Sequence, residues 1–341
     1  DTPLELSRGA KIDKKRKEGH FDLTRMKEGG VDAVFFAIYT SGALSPDQAT
    51  TRALELIAFT YDALEENYNK VSLARSAQEA LFNKESGLKS IFLGMENGAP
   101  IQNNLSLLRL FNDLGITYMT LCHSKDNQIC DSCAPKTETW GGLSPFGKEV
   151  IKEMNNLNML IDVSHISDNS FYDVLKYSSK PVVATHSCCR ALADHPRNLT
   201  DQMIKDLASN GGVIQINFYP PFLDSDYATK FWPLCDIFDE QLDLYRKFPR
   251  KHKESFIEAR DNLFSIPRPS YKRVVDHIDH VVNLVGIEHV GLGSDFDGIE
   301  IGPEGLESID KFPVITKELV ERGYKKEDIE LILGGNFLKL L

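Results

Sequence analysis

The sequence is poor in several features that mark particular classes of protein. It has only six cysteines among 341 residues, too few for a disulfide framework of the kind that holds small secreted domains together. No apolar run approaches the ~18 residues that a membrane-spanning helix needs. No glycine-rich phosphate-binding turn follows an early strand, which disfavours an open nucleotide-binding sheet. A disulfide scaffold, a membrane span and a dinucleotide fold are therefore not expected.

The sequence also lacks an excess of positive charge. Its net charge is −11 and its pI is about 5.4, so it repels phosphate backbones and is not expected to bind nucleic acid. The composition is 42% hydrophobic and 26% charged, which is typical of a soluble globular protein with a full core. Composition alone does not distinguish a cytoplasmic protein from an exported one.

Seven short apolar runs recur along the chain, with amphipathic segments between them. They lie at 33–40, 90–97, 118–124, 158–165, 181–187, 212–219 and 289–298. Runs this apolar are typical of parallel strands buried on both faces, and the intervening segments supply the helical crossovers. The sequence therefore predicts an α/β fold throughout.

Each of these runs begins apolar and most end in polar or ionisable residues. These are Glu96, His123, His165, His186, and Asp295 with Asp297. In a (β/α)8 TIM barrel the carboxyl ends of all the strands surround one active site. We therefore predict such a barrel, with its first strand truncated upstream of Asp1 because only seven strands are visible.

Residues 220–270 form the one long irregular region. It is charged, follows the run at 212–219 and has a helical pattern bounded by proline. We interpret it as a mostly helical insertion over the mouth of the barrel, so that residues 1–341 form a single domain.

Two histidines at strand ends are the strongest chemical signal. His165 and His186 are 21 residues apart in the sequence, about one strand, helix and strand, so neighbouring strands would bring them together. Glu96 and Asp295 occupy equivalent positions. Imidazole with carboxylate and no thiolate is the ligand set of hydrolytic zinc, or of Mn or Co in its place. A carboxylate such as Glu96 can bridge two metals, which hold a hydroxide nucleophile between them.

Other metal-like motifs have simpler explanations. His277 and His280 lie on an amphipathic helical segment without a carboxylate at ligand spacing, and we interpret them as structural. Cys130 and Cys133 have no second cysteine or histidine pair at zinc-finger spacing, so we expect a loop with two thiols or a local disulfide.

The segment "GHFDLT" contains a His-x-Asp, His20 and Asp22, that resembles half of a metal site. The next strand begins only at residue 33, which places the pair before a strand rather than at its carboxyl end. We interpret the pair as a look-alike. We expect His20 to lie well away from Glu96, and Asp1 to lie within ligand distance of the metal site.

Six motifs in order give the chain a family resemblance. They are "GMENG", "TLCHS", "IDVSHIS", "ATHSCCRALADHPRNLTD", "GGVIQINFY" and "GLGSDFDG". Together they resemble the membrane (renal) dipeptidase family, zinc peptidases of the amidohydrolase superfamily, over essentially the whole chain.

The resemblance implies roles for particular residues in metal binding. It implies that Glu96 bridges two zinc ions, that His165 and His186 hold the second ion, and that Asp1 binds the first. In that family the Asp belongs to a His-x-Asp-x-Pro motif, and "DTP" supplies its second half here. The matching histidine would lie upstream of Asp1.

The resemblance also implies roles in catalysis. Asp295 would be the acid/base that moves a proton from water to the leaving amine. His123 would contact the substrate carbonyl and stabilise the oxyanion. Arg197 would pair with the free carboxylate of a dipeptide, although a structural ion pair is the equal alternative on the residue alone. Asn217 could line the pocket or bond structurally, and Asp297 would support the site.

These residues lead to a prediction of function. We expect a zinc-dependent dipeptidase that acts on L,L- and L,D-dipeptides with a free carboxylate, with two zinc ions per chain and a homodimeric state as in the family. Another amidohydrolase, such as an N-acyl-amino-acid deacylase or a lactonase, is the alternative. A binding protein without catalysis is a third possibility, which the intact residue set disfavours.

Overall fold

The computed structural model describes residues 1–341 and contains eight parallel strands. Seven of them pair in the order β1-β3-β4-β5-β6-β7-β8, and β2 pairs with β3 outside this path. The strands are β1 Ala33–Tyr39, β2 Val71–Leu73, β3 Lys89–Glu96, β4 Ile116–Thr120, β5 Leu160–Asp162, β6 Val183–Ser187, β7 Val213–Asn217 and β8 Val290–Gly293. Each of the seven predicted runs overlaps one strand of the path, although β3 and β4 begin one and two residues earlier than predicted. The α/β prediction is confirmed.

Helices separate the strands and cover the sheet. They are α1 Thr2–Ser7, α2 Leu23–Glu28, α3 Pro46–Glu66, α4 Ala77–Glu85, α5 Leu105–Asp113, α6 Pro145–Asn156, α7 Asp168–Tyr177, α8 Asp201–Ser209, α9 Pro220–Leu223, α10 Ser225–Lys247, α11 Pro249–Phe264, α12 Lys272–Val285, α13 Pro313–Glu321, α14 Lys326–Glu330 and α15 Asn336–Leu338. Several begin where a Ser or Thr side chain accepts a backbone N–H of the first turn, as Ser144 and Thr200 do. None of the helices is long and apolar enough to cross a bilayer.

The start of the chain lies between the two ends of the strand path. The backbone nitrogen of Asp1 donates to the carbonyl oxygen of Phe296, just after β8, at 2.8 Å. Helix α1 packs against β1. The parallel strands with their surrounding helices are those of a (β/α)8 barrel, and a first strand upstream of Asp1 stays a prediction.

The region at 220–270 is helical, as its sequence pattern indicates. Helices α9, α10 and α11 follow one another directly after the carboxyl end of β7. Helices α10 and α11 pack together through aromatic rings, including Tyr245 stacked on Phe256 with ring centroids 4.7 Å apart. That these helices cover the active-site mouth stays a prediction.

The amino ends of the strands meet in an apolar cluster, which we call the barrel floor. It consists of Phe35, Tyr118, Leu160, Val183 and Phe337. Strand β3 leaves room for one of these rings by carrying glycine, since a side-chain carbon at Gly94 would lie 2.1 Å from the ring of Tyr118. Packing of this kind fixes the positions of the strands and so of their opposite ends.

Candidate active site

The carboxyl ends of β3 to β6 bring one carboxylate and three imidazoles together. Glu96 is the last residue of β3, and His186 lies within β6. The Oε1 atom of Glu96 lies 3.5 Å from Nε2 of His123, 3.2 Å from Nε2 of His165 and 3.3 Å from Nε2 of His186. The two Nε2 atoms of His165 and His186 are 2.9 Å apart. The predicted convergence of strand ends thus places these four side chains at one point.

Burial and mutual contact shift the protonation of this cluster. Burial would raise the pKa of Glu96, but hydrogen bonds from His165 and His186 lower it well below its usual value. Burial, assisted by the charge of Arg197, lowers the pKa of His165 well below its usual value, and burial lowers that of His123. Burial opposes protonation of His186 as well, yet its bond to Glu96 and the charge of Asp295 raise its pKa.

Asp295 and Asp1 lie side by side at the end of β8. A side-chain carbon placed on Gly298 would lie 2.7 Å from Oδ1 of Asp295 and 3.2 Å from Oδ2 of Asp1. The Oδ2 atom of Asp295 accepts a hydrogen bond from Asn217 Nδ2 at 3.0 Å. The Oδ1 atom of Asp1 is buried and has no hydrogen-bond partner. The structure thus brings Asp1 beside Asp295, with one carboxylate oxygen still lacking the partner that a buried polar atom requires.

Arg197 reaches the same cluster from the loop after β6. It is buried, and its two terminal nitrogens donate to Ser187 Oγ and to the carbonyl oxygen of His186, both at 2.7 Å. Its Nε–H is buried without a partner. The guanidinium lies 5.8 Å from the ring centroid of Phe222. The Nε–H of the Arg197 guanidinium is therefore available to bind an anion.

Unusual backbone geometry concentrates at these strand ends. His165, Asp295 and Asp297 have φ values of 73°, 60° and 63°, and Asn97, next to Glu96, has 84°. Residues other than glycine adopt this left-handed region at a cost, and they do so most often where function fixes the backbone. The strain marks the same site that the side-chain contacts define.

Two residues of the site were missed by sequence reasoning. Nδ1 of His186 lies 2.7 Å from Thr185 Oγ1, and that hydroxyl donates to Oδ2 of Asp162, also at 2.7 Å. Asp162 is fully buried at the end of β5. A carboxylate inside an otherwise apolar strand must have donors, and this is the signal that would have singled it out.

His20 and Asp22 make separate contacts and do not form a pair of metal ligands. The carboxylate of Asp22 caps α2 by accepting the Arg25 backbone N–H at 2.8 Å, and it also accepts from Arg25 Nε at 2.6 Å. His20 lies beside the end of β8, and its expected separation from Glu96 stays a prediction. Its ring stacks on Phe296 and its Nδ1 accepts the backbone N–H of Asp297 at 3.0 Å. A long connection from α1 carries it back to the end of β8.

The remaining candidates have structural contacts. His277 is buried, with its Nδ1 accepting the Cys189 backbone N–H at 3.1 Å and its Nε2 lying 3.0 Å from the Leu223 carbonyl oxygen. His280 bonds to Asp201 on α8 at 2.7 Å. All six cysteines are free thiols, so the "CDSC" loop contains no disulfide.

The chemistry of the donor set fits a divalent metal. The ligand atoms of Glu96, His123 and His165 lie within 4.8 Å of one another, and His186 joins them through the contacts given above. Three imidazoles and a carboxylate are borderline donors suited to zinc and its neighbours. The unpartnered oxygen of Asp1, beside Asp295, is a further oxygen ligand atom without a partner. The sequence prediction did not place His123 among the metal ligands, and the structure puts its Nε2 3.5 Å from Glu96 Oε1, slightly farther than those of His165 and His186.

Comparison with known sequences identifies relatives along the whole chain. Residues 1–341 match the sequence profile of the family described as membrane dipeptidase, peptidase family M19. Dipeptidase tcpJ of Claviceps purpurea is 31% identical over 331 residues, covering 95% of this chain and 69% of that protein. An uncharacterized dipeptidase of Schizosaccharomyces pombe, C965.12, is 32% identical over 336 residues, covering 94% of this chain and 71% of its own length.

Solved structures give the same result. The probable dipeptidase PvdM from Pseudomonas aeruginosa superposes with a TM-score of 0.85 at 28% identity, covering 98% of this chain and 90% of that one. A metallo peptidase from Rhodobacter sphaeroides, liganded with a phosphinate mimic of the dipeptide L-Ala-D-Ala, superposes with a TM-score of 0.82 at 25% identity, covering 100% and 96%. The chain therefore belongs to the membrane dipeptidase family, peptidase family M19, and is by that membership a metallo-dipeptidase.

Proposed function

We propose that the protein hydrolyses dipeptides with a free C-terminal carboxylate, of both L,L and L,D configuration, at a binuclear zinc site. The observation that carries the proposal is the convergence of three Nε2 atoms within 3.5 Å of one oxygen of Glu96. The structural relative from Rhodobacter sphaeroides binds a mimic of an L,D-dipeptide, which supports the stereochemical part.

The metal would be held by Asp1, Glu96, His165 and His186. When bound there, the metal would supply Lewis-acid polarisation of the substrate carbonyl and a lowered pKa of water. Mn or Co are substitutes that the same donors accept.

Arg197 would orient the substrate. Its free, buried Nε–H is available to the terminal carboxylate, and the bonds to Ser187 and His186 hold the guanidinium in place. A charge-assisted bond inside a buried site is stronger than one at the surface. The requirement for a free carboxylate follows from this contact.

Asp295 would move the proton. Its carboxylate is held by Asn217 and lies at the strand-end face of the cluster, so it can accept a proton from the attacking water and return it to the leaving amine. His123 would donate from Nε2 to the developing oxyanion, since its ring is held between Tyr39 and His165 at centroid distances of 4.8 and 4.0 Å.

The test combines metal content with a substrate panel on the full-length protein. We expect about two zinc ions per chain by elemental analysis, and turnover of L,L- and L,D-dipeptides in preference to N-acyl amino acids. The Asp295→Asn variant should keep its metal and lose turnover. Less than one metal per chain with no dipeptide turnover would refute the proposal, and preference for N-acyl amino acids would favour the deacylase alternative.

A further inference from the structure

We propose that Asp162 and Thr185 are positioning residues that fix the tautomer of His186, so that its Nε2 lone pair faces the metal position. This inference rests on the proposed function only in assigning His186 to a metal. The hydrogen-bond chain itself is independent of any ion. It joins Asp162 on β5 to Thr185 and the His186 ring on β6.

Four donors converge on the carboxylate of Asp162. Its Oδ1 accepts the backbone N–H groups of Ser164 at 3.0 Å and Thr185 at 2.9 Å. Its Oδ2 accepts the hydroxyls of Thr120 at 2.5 Å and Thr185 at 2.7 Å. The side chain is fully buried, and an ionised carboxylate only accepts hydrogen bonds. The single hydroxyl proton of Thr185 is therefore committed to Asp162.

The direction of the next bond follows from that commitment. A hydroxyl has one proton, so the contact of 2.7 Å between Thr185 Oγ1 and His186 Nδ1 must be donated by Nδ1–H. The neutral ring then has its lone pair on Nε2. This atom faces Glu96 Oε1 at 3.3 Å and Nε2 of His165 at 2.9 Å. In the metal-free protein a proton shared among these atoms accounts for the short contacts, and a metal ion bound by the Nε2 lone pair would replace it.

A purely structural role for the same residues makes a different prediction. Thr120, Asp162 and Thr185 lie on three adjacent strands, β4, β5 and β6, so their bonds could serve only to tie the sheet together. Thr120 supplies the matched control. It donates to the same oxygen of Asp162 as Thr185 does, but it forms no hydrogen bond with the His186 ring.

The first experiment measures Zn²⁺ affinity by competition with a chromophoric chelator in the full-length protein. Thr185→Val removes the hydroxyl at nearly constant volume, and we expect affinity to fall ~10–100-fold, the usual effect of losing a partner that orients a ligand. Thr185→Ser should restore affinity to near the wild-type value. Thr120→Val should stay within about threefold of wild type by the same reasoning. Equal losses for Thr185→Val and Thr120→Val would overturn the proposal in favour of a structural role.

The second experiment reads the tautomer directly by long-range ¹H–¹⁵N NMR of the metal-free protein. At alkaline pH, where the ring is neutral, we expect His186 to have its proton on Nδ1. In Asp162→Asn the amide nitrogen can replace Oδ2 and donate to Thr185, which frees the Thr185 hydroxyl to donate to Nδ1. The ring should then carry its proton on Nε2, as happens when the buried carboxylate of a catalytic triad is replaced by its amide. An unchanged tautomer in Asp162→Asn would overturn the proposal.

The two readouts separate this inference from the proposed function. A wild-type protein that shows the Nδ1–H tautomer but binds no Zn²⁺ would refute the metal site and leave the hydrogen-bond chain standing. The opposite outcome is also distinguishable. If the wild-type protein binds Zn²⁺ with the proton of His186 on Nδ1, and both Thr185→Val and Asp162→Asn keep this tautomer and affinity, the positioning role of Asp162 and Thr185 is refuted while the metal site stands.

Discussion

The two ends of the same strands differ in almost every respect. At the amino end, the barrel floor packs apolar rings in ordinary contacts, with Phe35 and Phe337 at a centroid distance of 5.2 Å. At the carboxyl end, charged and polar groups crowd around Glu96, and residues such as His165 adopt a left-handed backbone. Burial of apolar side chains in the barrel floor stabilises the folded state, whereas backbone strain and buried charge at the site destabilise it. The residues that stabilise the fold and the residues of the candidate site thus lie at opposite ends of the same strands.

This separation can be tested most strongly at Glu96. Glu96→Gln keeps the volume and removes the charge that the three imidazoles share. We expect metal affinity and kcat/KM to fall by more than ~100-fold, beyond the usual loss for a residue that only orients a ligand. The melting temperature should fall modestly, because Gln fills the same volume and can still bond to the imidazoles but loses the charge that pairs with His165 and His186. Elemental analysis, kinetics and thermal unfolding of one preparation check this, and a large loss of stability would break the separation.

The converse test changes a residue of the barrel floor and leaves the candidate site intact. Phe337 is buried against Tyr118, Leu160 and Val183, so Phe337→Ala should cost about 3–5 kcal/mol of unfolding free energy. Turnover per folded molecule should be unchanged, because the variant leaves the strand ends in place. Urea unfolding and active-site titration measure the two quantities. A folded variant with full stability and lost turnover would contradict the assignment.

A third test uses the pH dependence of stability at His277, which lies outside both regions. Burial lowers the pKa of this ring to about 4 from 6.5. Its Nδ1 accepts the Cys189 backbone N–H, so protonation would break that bond. The folded state therefore keeps the ring neutral while the unfolded state binds a proton, so stability falls as the pH drops from 6.5 towards 4. The contribution reaches at most ~3 kcal/mol, since each pKa unit corresponds to about 1.4 kcal/mol.

The matched variant for this test is His277→Gln. It should be less stable than wild type at neutral pH, and its unfolding free energy should depend less on pH between 4 and 6.5. The measurement is chemical denaturation across that range. Parallel pH profiles for the two proteins would show that His277 does not titrate as its contacts indicate.

The smallest expected effect concerns Arg197. Arg197→Met should lower kcat/KM for dipeptides by ~10–100-fold, because a hydrogen bond to a charged group contributes about 1.5–3 kcal/mol. Cleavage of an ester that lacks the terminal carboxylate should fall much less. Arg197→Lys keeps the charge but not the planar guanidinium, and its kcat/KM for dipeptides should lie between those of wild type and Arg197→Met. Equal losses on both substrates would remove the assigned role in carboxylate binding.

The strands and the residues at their carboxyl ends could be predicted because an apolar run and the polar residue that ends it are adjacent in the sequence. An apolar run that stops at Glu96, His165 or His186 shows both the strand and the residue that it presents. The convergence of these ends is then a property of the parallel barrel, and it needs no knowledge of the loops.

The features that escaped depend on contacts between distant segments. Strand β2, Val71–Leu73, has only three residues and no apolar run of its own. The bond from Thr185 to Asp162 joins residues 23 positions apart. His20 reaches Asp297 across 277 positions through a loop whose path the periodicity does not specify. Tertiary contacts of this kind leave no local pattern in the sequence.

The most direct test of the central claim is anomalous X-ray scattering at the zinc edge from crystals of the zinc-loaded full-length protein. The account predicts two peaks flanking the carboxylate of Glu96, one of them within bonding distance of Nε2 of His165 and His186. A protein that hydrolyses dipeptides without a peak at Glu96, or with its metal elsewhere, would contradict it.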